Sequence, residues 1–153
     1  MIFLKPYIIF SRKGLIALFA AILISILICG QLYAVGDINL NADTNAKRIA
    51  FIKSLGVIPD EQSVSSKKTV IPESFSDVYL NYNEVQKSAG YDLTAYKGCE
   101  ATVFTYDIST PKGYSGNCAV HLIVYKGRIV GGDISSTELG GFMLPLRKIE
   151  ETE

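Results

Sequence analysis

Residues Leu15 to Cys29 read LIALFAAILISILIC, an apolar run interrupted only by Ser25 and preceded by Lys5, Arg12 and Lys13. A buried helix of a soluble protein usually keeps a polar stripe, which this run lacks. The uncharged stretch extends from Gly14 to Gly36, and about 20 such residues are enough to cross about 30 Å of hydrocarbon. The sequence therefore predicts a transmembrane helix within 14–36, with Leu15 to Cys29 in contact with the lipid bilayer. No Lys or Arg follows Lys13 until Lys47. The positive-inside rule then leaves residues 1–13 in the cytoplasm and places the chain beyond Ala34 outside.

A cleaved secretory signal is the alternative. Its apolar core spans about 7 to 15 residues and ends at a small-residue site. Ala34 suits the position before a cut, but Leu32 stands where a small residue is preferred, and the apolar stretch is long. An uncleaved anchor is expected, with secretion after cleavage as the second reading. Lipid attachment at Cys29 is disfavoured by Ile28 before it, where such signals carry a small residue.

Beyond the anchor, 37–44 is a short tether rich in Asp and Asn, 45–144 is one domain, and 145–153 is a charged tail. The exported part, roughly 115 residues, is near the commonest size of a single domain. From Asp37 onward it carries 12 Lys and Arg against 15 Asp and Glu, a net charge of −3. Nucleic acid is an unsuitable partner, because phosphate neutralisation needs a basic stripe. The basic pairs Lys47–Arg48, Lys67–Lys68 and Arg147–Lys148 read as solvated surface. Two cysteines lie outside the anchor. In a simple hairpin, Cys99 and Cys118 are separated by roughly seven residues of strand at about 3.3 Å each, beyond the Cα separation of about 7 Å that a disulfide tolerates. Both are expected to be unpaired, and no Cys/His cluster suggests a metal.

NAKRIAFIKSL spaces Ala46, Ile49, Ile52 and Leu55 as a helix, capped by Asp43 or Thr44 and stopped at Gly56. A proline-bounded connection with a short strand near 68–71 follows. A second helix begins at Ser74, with Asp77 three residues on, and ends at Gly90. Phe75, Val78, Tyr79, Tyr82, Val85 and Ala89 form its apolar face, leaving Asn81, Asn83, Glu84 and Lys87 to water. EATVFTYDI, CAVHLIVY and RIVGGDI read as strands, the last two joined by a tight turn at Lys126–Gly127. CAVHLIVY is apolar on both faces and so is expected at the sheet centre. Gly131 and Gly132 suggest a bulge or a close backbone approach. The expected class is α+β: a transmembrane helix, then a small domain with two helices packed on one face of an antiparallel sheet of three to four strands.

No nucleophile elbow, phosphate loop, dinucleotide fingerprint or metal helix is present, and S-x-x-K at Ser65–Lys68 stands without its companion motifs. His121 is the only histidine. A hydrolase centred on it would need an acid and a nucleophile that sequence does not assign. No catalytic residue, metal or cofactor is expected. Tyrosines are frequent and suit recognition surfaces, and the second functional expectation is a small-ligand pocket between the second helix and the sheet, lined by Tyr79, Tyr82, Phe104 and Tyr106. The leading functional expectation is a membrane-anchored extracytoplasmic binding module of the bacterial envelope, with an envelope protein as a possible partner.

The runs Tyr82-Asn83-x-x-Gln86, Gly90-Tyr91-Asp92-Leu93 and Gly131-Gly132-Asp133 carry a resemblance, over roughly 45–143, to the bacterial family termed domain of unknown function 4830. The resemblance implies a single exported domain behind an anchor or signal. It assigns no catalytic residue. Ser135 departs from it, where many relatives have cysteine. The candidate binding residues are Tyr82, Asn83, Gln86, Asp92, His121 and Asp133.

Overall fold

The computed structural model describes residues 40–149. The anchor at Leu15 to Cys29 lies outside them, and no helix among the described residues is long and apolar enough to cross a membrane.

Two helices and five strands follow in the order α1 (Asn45–Ser54), β1 (Ser65–Val70), α2 (Asp77–Ser88), β2 (Glu100–Ile108), β3 (Cys118–Tyr125), β4 (Arg128–Ser136) and β5 (Met143–Pro145). The sheet is antiparallel throughout and its spatial order is its chain order. β3 is thus central, as its two apolar faces require. The expected three to four strands become five because three-residue β5 is too short to show a period. β1 begins at Ser65, three residues earlier than expected, since its exposed edge position leaves polar residues with no burial pattern.

The principal correction concerns the layers. α1 and α2 cover opposite faces of the sheet. Ile49, Phe51 and Ile52 of α1 and Leu55 just after it pack with Tyr106, Val120, Leu122 and Ile134 in a cluster of fifteen buried apolar residues. Phe75, Tyr79 and Tyr82 pack against a smaller cluster of five: Ile71, Leu93, Ala101, Ile123 and Val130. Alternation along β2 and β3 feeds both clusters, so helices on both sides are needed to dry the sheet.

Thr44 caps α1, its hydroxyl accepting from the Lys47 amide at 3.3 Å. Arg48 is not solvated surface. Its guanidinium lies 3.7 Å from the Phe104 ring centre and donates to the Tyr106 hydroxyl and the Ala42 carbonyl, both at 2.8 Å. Within the expected tether, Ala42 joins the domain: it is buried and donates its amide to Gly127 O at 2.7 Å. At the other end, Leu146 is buried and the Ile149 amide donates to Leu55 O at 2.9 Å, so the charged tail is docked at least through Ile149.

α2 is capped by Ser76 rather than Ser74. It ends in a Schellman arrangement, with the Gly90 amide donating to Lys87 O and the Tyr91 amide to Gln86 O. Gly90 takes φ +85°, where a Cβ is penalised. The buried face is also turned from the expected one, with Tyr79, Tyr82, Asn83 and Gln86 inward: Val78 is 79% exposed, whereas Asn83, expected in water, is 1% exposed.

The β3–β4 turn is as expected, Lys126 and Gly127 both at positive φ. Gly131–Gly132 combines the two alternatives. The register skips Val130, since Ile123 faces Gly131 while Val124 faces Ile129, and the space above Gly131 is taken by Gln86 Oε1 and Leu93 Cδ2.

Candidate functional site

The six candidate residues all gather on the α2 side of the sheet, where they divide into two groups. Asn83, Gln86 and Asp92 tie the structure together. Asn83 Oδ1 accepts from the Leu93 amide at 2.8 Å and Asn83 Nδ2 donates to Asp92 Oδ1 at 3.0 Å. The same Asp92 oxygen accepts from the Thr94 amide and hydroxyl at 2.9 and 2.7 Å. These donors, Asn83 first, lower the Asp92 carboxyl to about 2. Gln86, fully buried, receives the Gly132 amide on Oε1 at 2.7 Å. A strand amide displaced by the bulge thereby gains a partner.

Tyr82, His121 and Asp133 instead line a cleft of about 300 Å³ between α2 and the sheet. Tyr79 and Tyr82 form its helical wall, with ring centres 5.8 Å apart in an edge-on arrangement. Its floor is polar in the middle and apolar around it. His121 and Asp133 are direct cross-strand neighbours, with Ile71, Val103 and Ile123 beside them. Thr69, Ser135 and Met143 also border the opening; no local signal in the sequence marks them, because only the strand register brings them there.

Asp133 is 4% exposed. The Tyr82 hydroxyl donates to its Oδ2 at 2.9 Å, while its Oδ1 is buried with no hydrogen-bond partner. Burial, and then the adjoining Asp133 carboxylate, push the Tyr82 hydroxyl far above the ordinary tyrosine range and keep it a donor. His121 Nδ1 lies 2.9 Å from Thr105 Oγ1, a hydrogen bond whose donor is set by the imidazole tautomer.

Of the four aromatic residues expected around one pocket, two border this cleft. Tyr79 and Tyr82 line the cleft, but Tyr106 is buried and Phe104 packed in the α1-side cluster, across the sheet. Helix placement alone did not reveal which strand face α2 covers.

Cys118 faces Ile108 at one end of β2, whereas Cys99 precedes Glu100 at the other, and both thiols are free. Among the described residues no group of three or more His, Cys, Asp or Glu is arranged to hold a metal ion. A second, larger opening of about 440 Å³ is bordered by Lys112, Arg147 and Lys148. Those side chains are exposed, so the opening lacks the buried polar atom that distinguishes the α2 cleft.

No curated protein and no solved structure matches the chain. One family model does, over residues 51–134, a span running from α1 to the Asp133–Ile134 step of β4 and containing all six candidate residues. The chain belongs to this family, Domain of unknown function (DUF4830).

Proposed function

We propose that this protein is a binding module held outside the cytoplasm by an N-terminal membrane anchor, and that its ligand enters the cleft between α2 and the sheet. The observation that carries the reading is Asp133, a buried carboxylate lining a cleft with one oxygen left unpartnered. Native proteins satisfy nearly all buried polar groups, and the cost of an exception is relieved when a ligand supplies the missing donor. The apolar and aromatic lining with a few convergent polar groups is the usual composition of a small-molecule site.

Binding is favoured over hydrolysis by the partners of His121. In a nucleophilic triad the acid holds imidazole Nδ1 and orients the ring. Here Nδ1 is engaged by Thr105 and the neighbouring carboxylate by Tyr82.

Thermal unfolding scanned against glycans, short peptides and lipids tests the site. A ligand at about a hundred times its Kd contributes about 2.7 kcal/mol, which raises Tm by about 10 °C in a domain of this size. A screen with no stabilising compound overturns the reading. The address is tested separately by fractionation: a C-terminally tagged chain is expected at full length in carbonate-washed membranes. A form shortened near Ala34 in the medium would instead make this a secreted binding domain.

A further inference from the structure

We propose that the group recognised in the α2 cleft is a protonated amine carried on an apolar body, with Asp133 as its counter-ion; the inference rests on the cleft being a ligand site. Asp133 accepts from the neutral Tyr82 hydroxyl on Oδ2 and from nothing on Oδ1. The four ion pairs among the described residues join Lys47 to Asp43, Lys53 to Glu61, Lys68 to Glu100 and Lys87 to Glu84. Each lies on the surface and none includes Asp133.

One oxygen of this buried carboxylate therefore lacks a donor, and among the described residues no cation lies within ion-pair distance of it. A ligand hydroxyl would supply only the donor. An ammonium supplies both, and the attraction strengthens where water is excluded. The rest of the cleft suits such a group. Tyr79 and Tyr82 offer aromatic rings, which attract cations through their negative faces, while Ile71, Val103 and Ile123 accept the apolar body. A carboxylate or phosphate ligand would meet Asp133 as a like charge.

The test uses the full-length chain in neutral detergent and the ¹³C-labelled methyl group of Met143, which borders the cleft; the chain has only two methionines. Phenethylamine, its neutral isostere 2-phenylethanol, and phenylacetate are titrated in turn. The Met143 resonance is expected to shift saturably, with at least about tenfold tighter binding of the amine than of the alcohol and no response to the anion. Asp133→Asn is expected to bring amine and alcohol together. Tyr82→Phe, which keeps the carboxylate, is expected to preserve the preference, and it serves alongside the wild-type comparison should Asp133→Asn fail to fold. Equal saturable binding of amine and alcohol overturns the ammonium assignment while leaving the cleft a ligand site. A Met143 resonance unmoved by all three probes overturns both.

Discussion

Gly132→Ala is expected to lower stability by about 3 to 5 kcal/mol, a large share of a total of about 5 to 15 kcal/mol. Gly132 sits at φ +153°, a conformation L side chains rarely adopt. A Cβ there would overlap the backbone carbonyl oxygen of His121 and lie 2.9 Å from Leu146 Cδ2. Backbone cannot move aside as a flexible side-chain tip does, so accommodation requires shifting β3 against β4 at the middle of the sheet. The same shift would disturb the Gln86 bond to the Gly132 amide and the Asp133 position beside it. Urea unfolding followed by circular dichroism measures the change. A variant within about 0.5 kcal/mol of wild type, the range of ordinary surface substitutions, would show that the two strands do not pair in this register.

Asn83→Ala is the second large effect, with an expected loss of about 2 to 4 kcal/mol. The substitution leaves the buried Leu93 amide without its acceptor and opens a small void beneath α2. It also changes the acid response, since Asn83 is the first cause of the lowered Asp92 carboxyl. A carboxyl held at about 2 when folded and 3.8 in its ordinary state adds stability above pH 4, and that contribution is lost as pH falls towards 2. In the variant the folded carboxyl rises towards its ordinary value. The portion of the pH 4 to 2 decline belonging to Asp92 therefore shrinks, even as stability at neutral pH drops. Denaturant midpoints at pH 7, 4 and 2 for both proteins separate the two contributions. An unchanged midpoint at pH 7 would mean that Asn83 does not join the helix to the Asp92–Leu93 turn.

Both residues bear on how far a sequence can be read. Periodicity located α1, α2 and the three long strands because each buries enough side chains to impose its repeat. The turn at Lys126–Gly127 and the stop at Gly90 were legible because positive φ demands particular residues. What periodicity lacks is the third dimension. Polarity placed Asn83 in water, yet its amide accepts from the Leu93 backbone and donates to the Asp92 carboxylate, so the cost of its burial is met internally. Arg48 was misread for a similar reason, its charge lying on Phe104 and its donors finding neutral oxygens. The cleft was legible in three of its lining residues and illegible as an arrangement. Tyr82, His121 and Asp133 were singled out, but Thr69, Ser135 and Met143 join them only through strand register. The assignment of Phe104 and Tyr106 to the wrong face came from not knowing which side α2 would cover.

The two clusters that flank the sheet are unequal, fifteen buried apolar residues under α1 against five under α2. Most of the burial that holds the domain together is thus separated, by the thickness of one sheet, from the face that carries the cleft. Residues bordering the opening, such as Thr69, Ser135 and Met143, contribute to neither cluster of buried side chains. Substitutions at these positions can therefore change the shape and polarity of the cleft without removing a side chain from either cluster. The layer arrangement leaves the cleft rim free to vary while the burial that holds the fold lies largely on the other side of the sheet.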